Sequence, residues 1–409
     1  MVSREIHDSC NRGAAGVMDG GTPYPPLPVT PSWFMARRRS RPCVLVIAAS
    51  LIACGGVALQ PLRAQPPPPE EWEITPESEA AIAKGLAFLA KKQGPAGSWG
   101  MNDLGLVATG ALAFMAAGHT PGDGEYGPYV ERALGFVIAN AKPSGLFNIN
   151  RSKFDMYNHG LATFVLGQAY GMTNDRKVGA ALDKALQLIV QTQGPQGGWY
   201  YEAKPRDGDL SLCVMQAKAL RSATDSGFEI PRKTIEKAIA QVRSMYLPKH
   251  KVRNQGEAKM REGPGQFTYN GQRGDTPAMA AAGVVCMQEF GQYEDWRIAK
   301  SMERVLDEIT KAKRPTRQGS GELVFDAYTL YYVGQALYQV GGQGWKDHYP
   351  ALRDRIIRGQ RPDGGWEGSR VEGLADEVYG TAVAVFVLAI PNRYLPILQE
   401  AKVGVLGGR

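Results

Sequence analysis

A turn that occurs three times limits what this chain can fold into. Lys84-Gly85-x-x-Phe88-Leu89 runs into Gln93-Gly94-Pro95-x-Gly97-Ser98-Trp99. One hundred residues on, Lys184-Ala185-x-x-Leu188-Ile189 runs into Gln193-Gly194-Pro195-x-Gly197-Gly198-Trp199. The turn comes back as Gln360-Arg361-Pro362-Asp363-Gly364-Gly365-Trp366, with Gln and Trp six residues apart every time. Weaker copies fill the gaps: Phe136-Val137 before Gly145-Leu146-Phe147, Lys237-Ala238 before Gly265-Gln266-Phe267, and Val305 to Ile309 before Gly321-Glu322-Leu323. A period of roughly 50 residues means supersecondary units that bury their apolar faces only against one another.

Each copy continues into an apolar stretch rich in Ala, Gly, Leu and Val: 104–117, 156–170, 210–222, 276–290, 327–340 and 378–390. Helices that are apolar on nearly all sides are buried ones. The helix ahead of each turn, as in residues 183–193, is amphipathic. One unit is therefore an outer amphipathic helix, a Gly-rich turn and an inner buried helix. Closing six units into a ring leaves no unburied end. The predicted fold class is all-α, an (α/α)6 barrel of six helical hairpins over residues 78–409, its inner helices parallel. No alternating strand pattern of useful length is present.

The chain has 409 residues, a formal net charge of +7 and 49 glycines, which the repeat assigns to turns. Residues 1–64 hold seven arginines against three acids, so the remainder is close to balanced and the basic pI does not argue for nucleic acid. That segment is expected to be a leader, its start open between Met1 and Met35. Met35-Ala36-Arg37-Arg38-Arg39 precedes an apolar run from Cys43 to Ala53, too short to span a bilayer. Leu51-Ile52-Ala53-Cys54 then Gly55 resembles a bacterial lipobox, which implies lipidation of Cys54. Ordinary cleavage after Leu62-Arg63-Ala64 is the alternative. Export to the periplasm or to a membrane anchor is expected, with residues 65–77 as a stiff Pro-rich linker. Only Cys213 and Cys286 lie in the repeats, and they are expected as buried free thiols.

Aligning the inner stretches brings out an acid at the head of each: Asp103, Asp155, Asp209, Asp275, Asp326, and Asp376 or Glu377. Asp there caps the helix and faces the positive end of its dipole. Six parallel inner helices also place six acids around one mouth of the barrel. The same stretches carry Tyr157, Tyr328, Tyr332 and Tyr379, with Tyr328 and Tyr332 four apart on one face. His159 is the single histidine on an inner stretch. His159, Tyr157, Tyr328, Tyr332, Tyr379, Asp155 and Asp326 are the candidate ligand-binding residues. The alternative for each is core packing.

The Gln-x-x-x-Gly-x-Trp pattern resembles the QW motif of squalene–hopene cyclases, whose wider group includes the protein prenyltransferase β subunits. The resemblance covers about residues 78–392. It implies that Gln93, Trp99, Gln193, Trp199, Gln360 and Trp366 are structural, tying one hairpin to the next. It also implies a comparison with the Asp-x-Asp-Asp motif of class II terpene cyclases, whose central Asp protonates an alkene. Asp207-Gly208-Asp209-Leu210 matches that motif except at its last position. Asp209 is then the candidate general acid and Asp207 its partner, since paired carboxylates hold a proton between them. The cyclases of the group use a second helical domain, for which this chain has no room.

Other chemistries lack their residues. The zinc ligand spacing of the prenyltransferases is absent, so no metal and no cofactor are expected. A thioester domain needs a Cys-Gly-Glu-Gln run, and neither Cys213-Val214 nor Cys286-Met287 supplies it. No dinucleotide or P-loop fingerprint occurs. One insertion, residues 247–274, breaks the repeat with Lys249, Lys251, Lys259 and Arg261 among its charges, and is expected to be a surface loop. Three readings stay open. The barrel binds an apolar or isoprenoid-like ligand or a partner, or it is a cyclase-like enzyme using Asp209, or it is an envelope scaffold.

Overall fold

The computed structural model describes residues 69–99, 103–149, 154–248, 256–272, 274–311, 323–369 and 376–399. They all fall within one unit, Ser32–Arg409. The leader with Cys54, and with it the start of the linker, lies outside the described residues. So do Lys249, Lys251, Arg253 and Arg273 of the insertion.

The outer helices are α1 (Pro76–Lys92), α3 (Gly127–Ala139), α5 (Arg176–Gln191), α7 (Arg232–Ser244), α10 (Trp296–Lys311) and α12 (Gly342–Arg358). The inner helices are α2 (Leu104–Ala116), α4 (Asp155–Thr173), α6 (Leu210–Asp225), α9 (Pro277–Glu289), α11 (Ala327–Val340) and α13 (Glu377–Ala389). Every residue of α2 is buried, whereas α3 buries one stripe. The two patterns are those of an all-apolar and an amphipathic helix. Among the described residues no helix is long and apolar enough to cross a membrane.

Inner helices touch in cyclic order, and α13 returns to pack on both α1 and α2. The chain is therefore an α/α toroid. The recurring turn carries the joints. Gln93 Nε2 donates to the carbonyls of Gly97 in its own turn and Tyr129 in the next outer helix, at 3.2 and 2.9 Å. Gln193 does the same to Gly197 and Thr234, and Gln360 to Gly364 and Ala81. The last of these closes the sixth hairpin onto the first. Each Trp indole N–H instead donates back to its own outer helix, ten residues upstream: Trp99 to Leu89, Trp199 to Ile189 and Trp366 to Ile356, at 2.7–2.8 Å. So Gln links hairpins, while Trp pins the turn beneath its own helix. Phe147 and Phe267, both fully buried, occupy the corresponding place in the second and fourth turns.

Gly197 and Gly364 show why these turns need glycine. Their φ values are +109° and +90°, and a Cβ on either would stand 2.2–2.5 Å from a carbonyl oxygen of the next outer helix, Lys237 or Lys84. Only glycine takes that backbone conformation without strain and lets two chains approach so closely.

The insertion departs from expectation. It contains a two-stranded antiparallel ribbon, β1 (Tyr246–Pro248) with β2 (Gly265–Phe267), and a short helix α8 (Glu257–Glu262). Strands of three residues leave no alternation long enough to detect. The ribbon carries Phe267 into the core, where its N–H donates to Ser301 Oγ at 3.2 Å.

Candidate functional site

The N-terminal mouth of the inner helices gathers most of the residues picked out in the sequence. Three of the heading acids do cap their helices through side chains. Asp209 accepts from Ser211 N–H, Asp326 from Tyr328 N–H and Asp376 from Val378 N–H. Asp326 also accepts from Ser369 Oγ at 2.7 Å. At α9 the cap is Thr276 rather than Asp275. Asp103 makes no cap bond of its own. Asn158 supplies it from the next helix, accepting from Gly105 N–H and donating to Asp103, both at 3.1 Å. Asp155 lies inside the first turn of α4 and accepts from Asn148 Nδ2.

Loops then bring tyrosines over these caps. Tyr201 C=O accepts from Met156 N–H at 3.0 Å and Tyr269 C=O from Leu210 N–H at 2.9 Å, which anchors each turn to the head of an inner helix. From there the Tyr201 hydroxyl donates to Asp209 Oδ2 at 2.7 Å. Tyr157 packs on Tyr201 with ring centroids 6.0 Å apart, and Tyr328 meets Tyr332 edge-on at 5.1 Å. Tyr379 comes in from α13. Burial, then the neighbouring Tyr332 and the Asp209 carboxylate, push the Tyr157 hydroxyl well above its ordinary pKa. Tyr201, Tyr269, Tyr328, Tyr332 and Tyr379 are raised as well, each chiefly by burial. These phenols stay neutral donors at any physiological pH. The Tyr332 hydroxyl is fully buried beside that of Tyr328.

Tyr157, Tyr201, Tyr269, Tyr328, Tyr332 and Tyr379 thus converge from five of the six hairpins. Tyr201 and Tyr269 were not singled out in the sequence. They sit in turns, where no periodicity marks an inward face.

Two expectations need correction. Asp207 is not the partner of Asp209. Its carboxylate accepts from the backbone N–H groups of Gln196 and Gly198, at 2.9–3.2 Å, and so braces the third turn. Asp209 is hydrogen-bonded to Ser211 and Tyr201 instead. The fold, not their spacing, separates them: Asp207 is taken up by the turn ahead of it and Asp209 by the head of the helix after it.

His159 is likewise no cavity ligand. It is fully buried; Nδ1 accepts from Phe147 N–H at 3.2 Å, while Nε2 lies 3.1 Å from Ala185 C=O and carries the proton. Burial pushes its pKa down to about 4, so it is neutral. Thr381 plays the same part in the sixth hairpin, taking Trp366 N–H on Oγ1 at 3.0 Å. Both side chains satisfy the backbone of the turn aromatic. Cys213 and Cys286 are buried and free.

A second buried polar cluster lies deeper along the inner helices and was not anticipated. Lys218 of α6 stands over the Phe164 ring at 4.3 Å, 3.3 Å from Glu289 of α9 and bonded to Gln335 of α11. Burial lowers its pKa, against the opposing pull of Glu289. Ion pairs so buried are unusual, and breaking one by removing a partner costs about 3–5 kcal/mol. The signal was there, since Lys218 and Glu289 are charges inside otherwise apolar stretches. Their pairing across 71 positions was not. Among the described residues, no three of His, Cys, Asp or Glu stand close enough to hold a metal ion.

No protein-family model and no curated protein matches the chain. Solved structures do. A variant of the type II terpene cyclase MstE from Scytonema, in complex with its substrate geranylgeranyl dihydroxybenzoate, is similar with a TM-score of 0.51 at 14% identity, covering 78% of this chain and 98% of that one. An inactive variant of the α-1,6-mannanase GH76A of Salegentibacter sp. HEL1_6, in complex with α-1,6-mannotetrose, gives 0.51 at 10% identity, with 81% and 100% covered. A glycosidase variant in complex with glucose gives 0.52 at 12% identity, with 78% and 98% covered. At these identities the likeness extends to the fold alone: this chain is an α/α toroid, similar in architecture to terpene cyclases and to glycosidases.

Proposed function

We propose that the barrel binds an apolar, isoprenoid-like molecule at its tyrosine-lined mouth, without transforming it. The observation that carries this reading is the convergence of six tyrosines from five hairpins on one end of the ring. Aromatic faces present large apolar area at little entropic cost. Neutral hydroxyls suit the single polar head of such a molecule. The isoprenoid substrate held by the similar terpene cyclase supports the ligand class. The leader's charge, apolar run and small residues support export, and Leu51-Ile52-Ala53-Cys54 supports a lipid on Cys54.

A cyclase reading using Asp209 is the alternative, and its local geometry disfavours it. The Asp209 oxygens accept from Ser211 N–H, Ser211 Oγ and Tyr201 OH. Both oxygens are thus engaged by the protein itself, whereas alkene protonation needs a carboxyl hydrogen aimed at the substrate.

Native mass spectrometry of the purified protein after incubation with geranylgeraniol tests the proposal. The account expects one bound molecule, unchanged in mass and chromatographic behaviour. In Tyr157→Ala binding falls tenfold or more, about 1.4 kcal/mol, while Asp209→Asn keeps it. A cyclic product made by the wild type and lost in Asp209→Asn would establish the enzyme instead. No retention, or equal retention in Tyr157→Ala, would remove the binding site.

A further inference from the structure

The opposite end of the ring, at the C-termini of the inner helices, holds a cavity of about 580 Å³ bordered by the segment 390–399 and by residues just ahead of α1. That volume is within the roughly 300–1,000 Å³ range of small-molecule sites. Its walls are fixed by internal bonds. Arg221 Nε is held by Asp225 at 2.8–2.9 Å and its Nη1 reaches the Tyr293 hydroxyl. Arg393, in a left-handed conformation at φ 56°, donates to Glu73 and to the Tyr338 hydroxyl at 3.1 Å. Trp345 donates to the same Glu73 at 2.6 Å and stacks on Tyr349 at 3.9 Å.

Three properties of this cavity select a ligand class. Its lining charges cancel: Glu70, Glu73 and Glu289 against Arg221, Lys346 and Arg393. A balanced site has no net field to attract an anion or a cation. Acceptors are left uncommitted. Gln339 Oε1 is buried without a partner, and Glu289 engages Lys218 and Gln339 through Oε1 alone, so its Oε2 accepts nothing from the described residues. Aromatic surface is also on offer, since Tyr293 is 46% exposed, and Val340, 41% exposed, borders the same cavity; they are two of the three large hydrophobics exposed among the described residues. Large exposed apolar side chains gathered at one concavity mark a binding surface.

We propose that this cavity is a binding site for a neutral carbohydrate of one or two rings. The apolar C–H face of a sugar lies against Tyr293, and its hydroxyls donate to Glu289 Oε2, a carboxylate held in place by Gln339 Nε2 on its other oxygen. The guanidinium of Arg221 supplies a donor to ring and hydroxyl oxygens. This site stands apart from the tyrosine mouth and does not depend on what that mouth binds.

The test is saturation-transfer NMR and calorimetry on the full chain with glucose, mannose, N-acetylglucosamine, maltose, mannobiose and chitobiose at millimolar concentration. At least one of these sugars binds. Tyr293→Ala and Gln339→Ala each weaken it tenfold or more with an unchanged melting temperature, and Tyr157→Ala leaves it as in the wild type. The proposal is overturned if none of these sugars binds, or if neither variant affects a sugar that does. Preferential binding of inorganic phosphate or putrescine would overturn it as well, because the charge balance argument would then be wrong.

Discussion

At the scale of single residues, the polar side chains of the inner helices serve backbone atoms more often than cavities. His159 is the clearest case. In an unfolded chain it titrates near 6.5, whereas burial in the fold pushes it down to about 4, with partial relief from the Ala185 carbonyl. The folded value lies below the unfolded one, so protons prefer the unfolded chain. The stability it contributes is complete above about pH 6.5 and is lost progressively as pH falls toward 4, by up to about 3 kcal/mol. Melting temperature followed from about pH 7 to pH 4.5 should therefore drop more steeply in the wild type than in His159→Gln. Parallel curves would show that the imidazole is not held neutral. Nothing in the sequence around Met156-Tyr157-Asn158-His159 distinguishes this role from ligand binding, because Phe147 N–H and Ala185 C=O come from other elements. Asp207 and Asp209 illustrate the same limit. Two acids two positions apart are visible as a motif, but the fold decides that one braces the turn before it and the other caps the helix after it.

At the scale of elements, the recurring turn explains both the joints and what the sequence revealed. All-apolar stretches and the fixed Gln–Trp interval made inner helices, outer helices and their connection legible, since each rests on local composition and period. The Phe267 turn was harder to place, because the insertion ahead of it hides the interval and its strands are only three residues long. The joint between last and first hairpins offers a direct perturbation. In Gly364→Ala, the new methyl meets the Lys84 carbonyl at 2.5 Å on a backbone with φ +90°. A strained φ alone costs about 1–3 kcal/mol, and the clash adds to it. We expect a loss of about 3 kcal/mol in denaturant unfolding, with Gly197→Ala comparable and Gly135→Ala, which meets no atom within 4 Å, close to neutral. A Gly364→Ala protein as stable as the wild type would mean that the joint is not formed.

At the scale of the molecule, closure is what creates two mouths from six similar hairpins. One end collects helix N-termini, their caps and the tyrosines. The other collects the ends of α6, α9 and α11 together with both flanks of the fold, joined where Arg393 meets Glu73. Both proposed sites need a closed circle, as an open stack of hairpins has no axis to line. Hydrogen exchange on the native protein tests closure most directly. In an open stack the terminal units fray first, since each repeat is held only by its neighbours. In a closed ring there is no terminal unit. The account predicts that amides of α1 and α13 exchange as slowly as those of α4 and α6, by the same global opening. Exchange of α1, α12 and α13 orders of magnitude faster than the middle hairpins would contradict it.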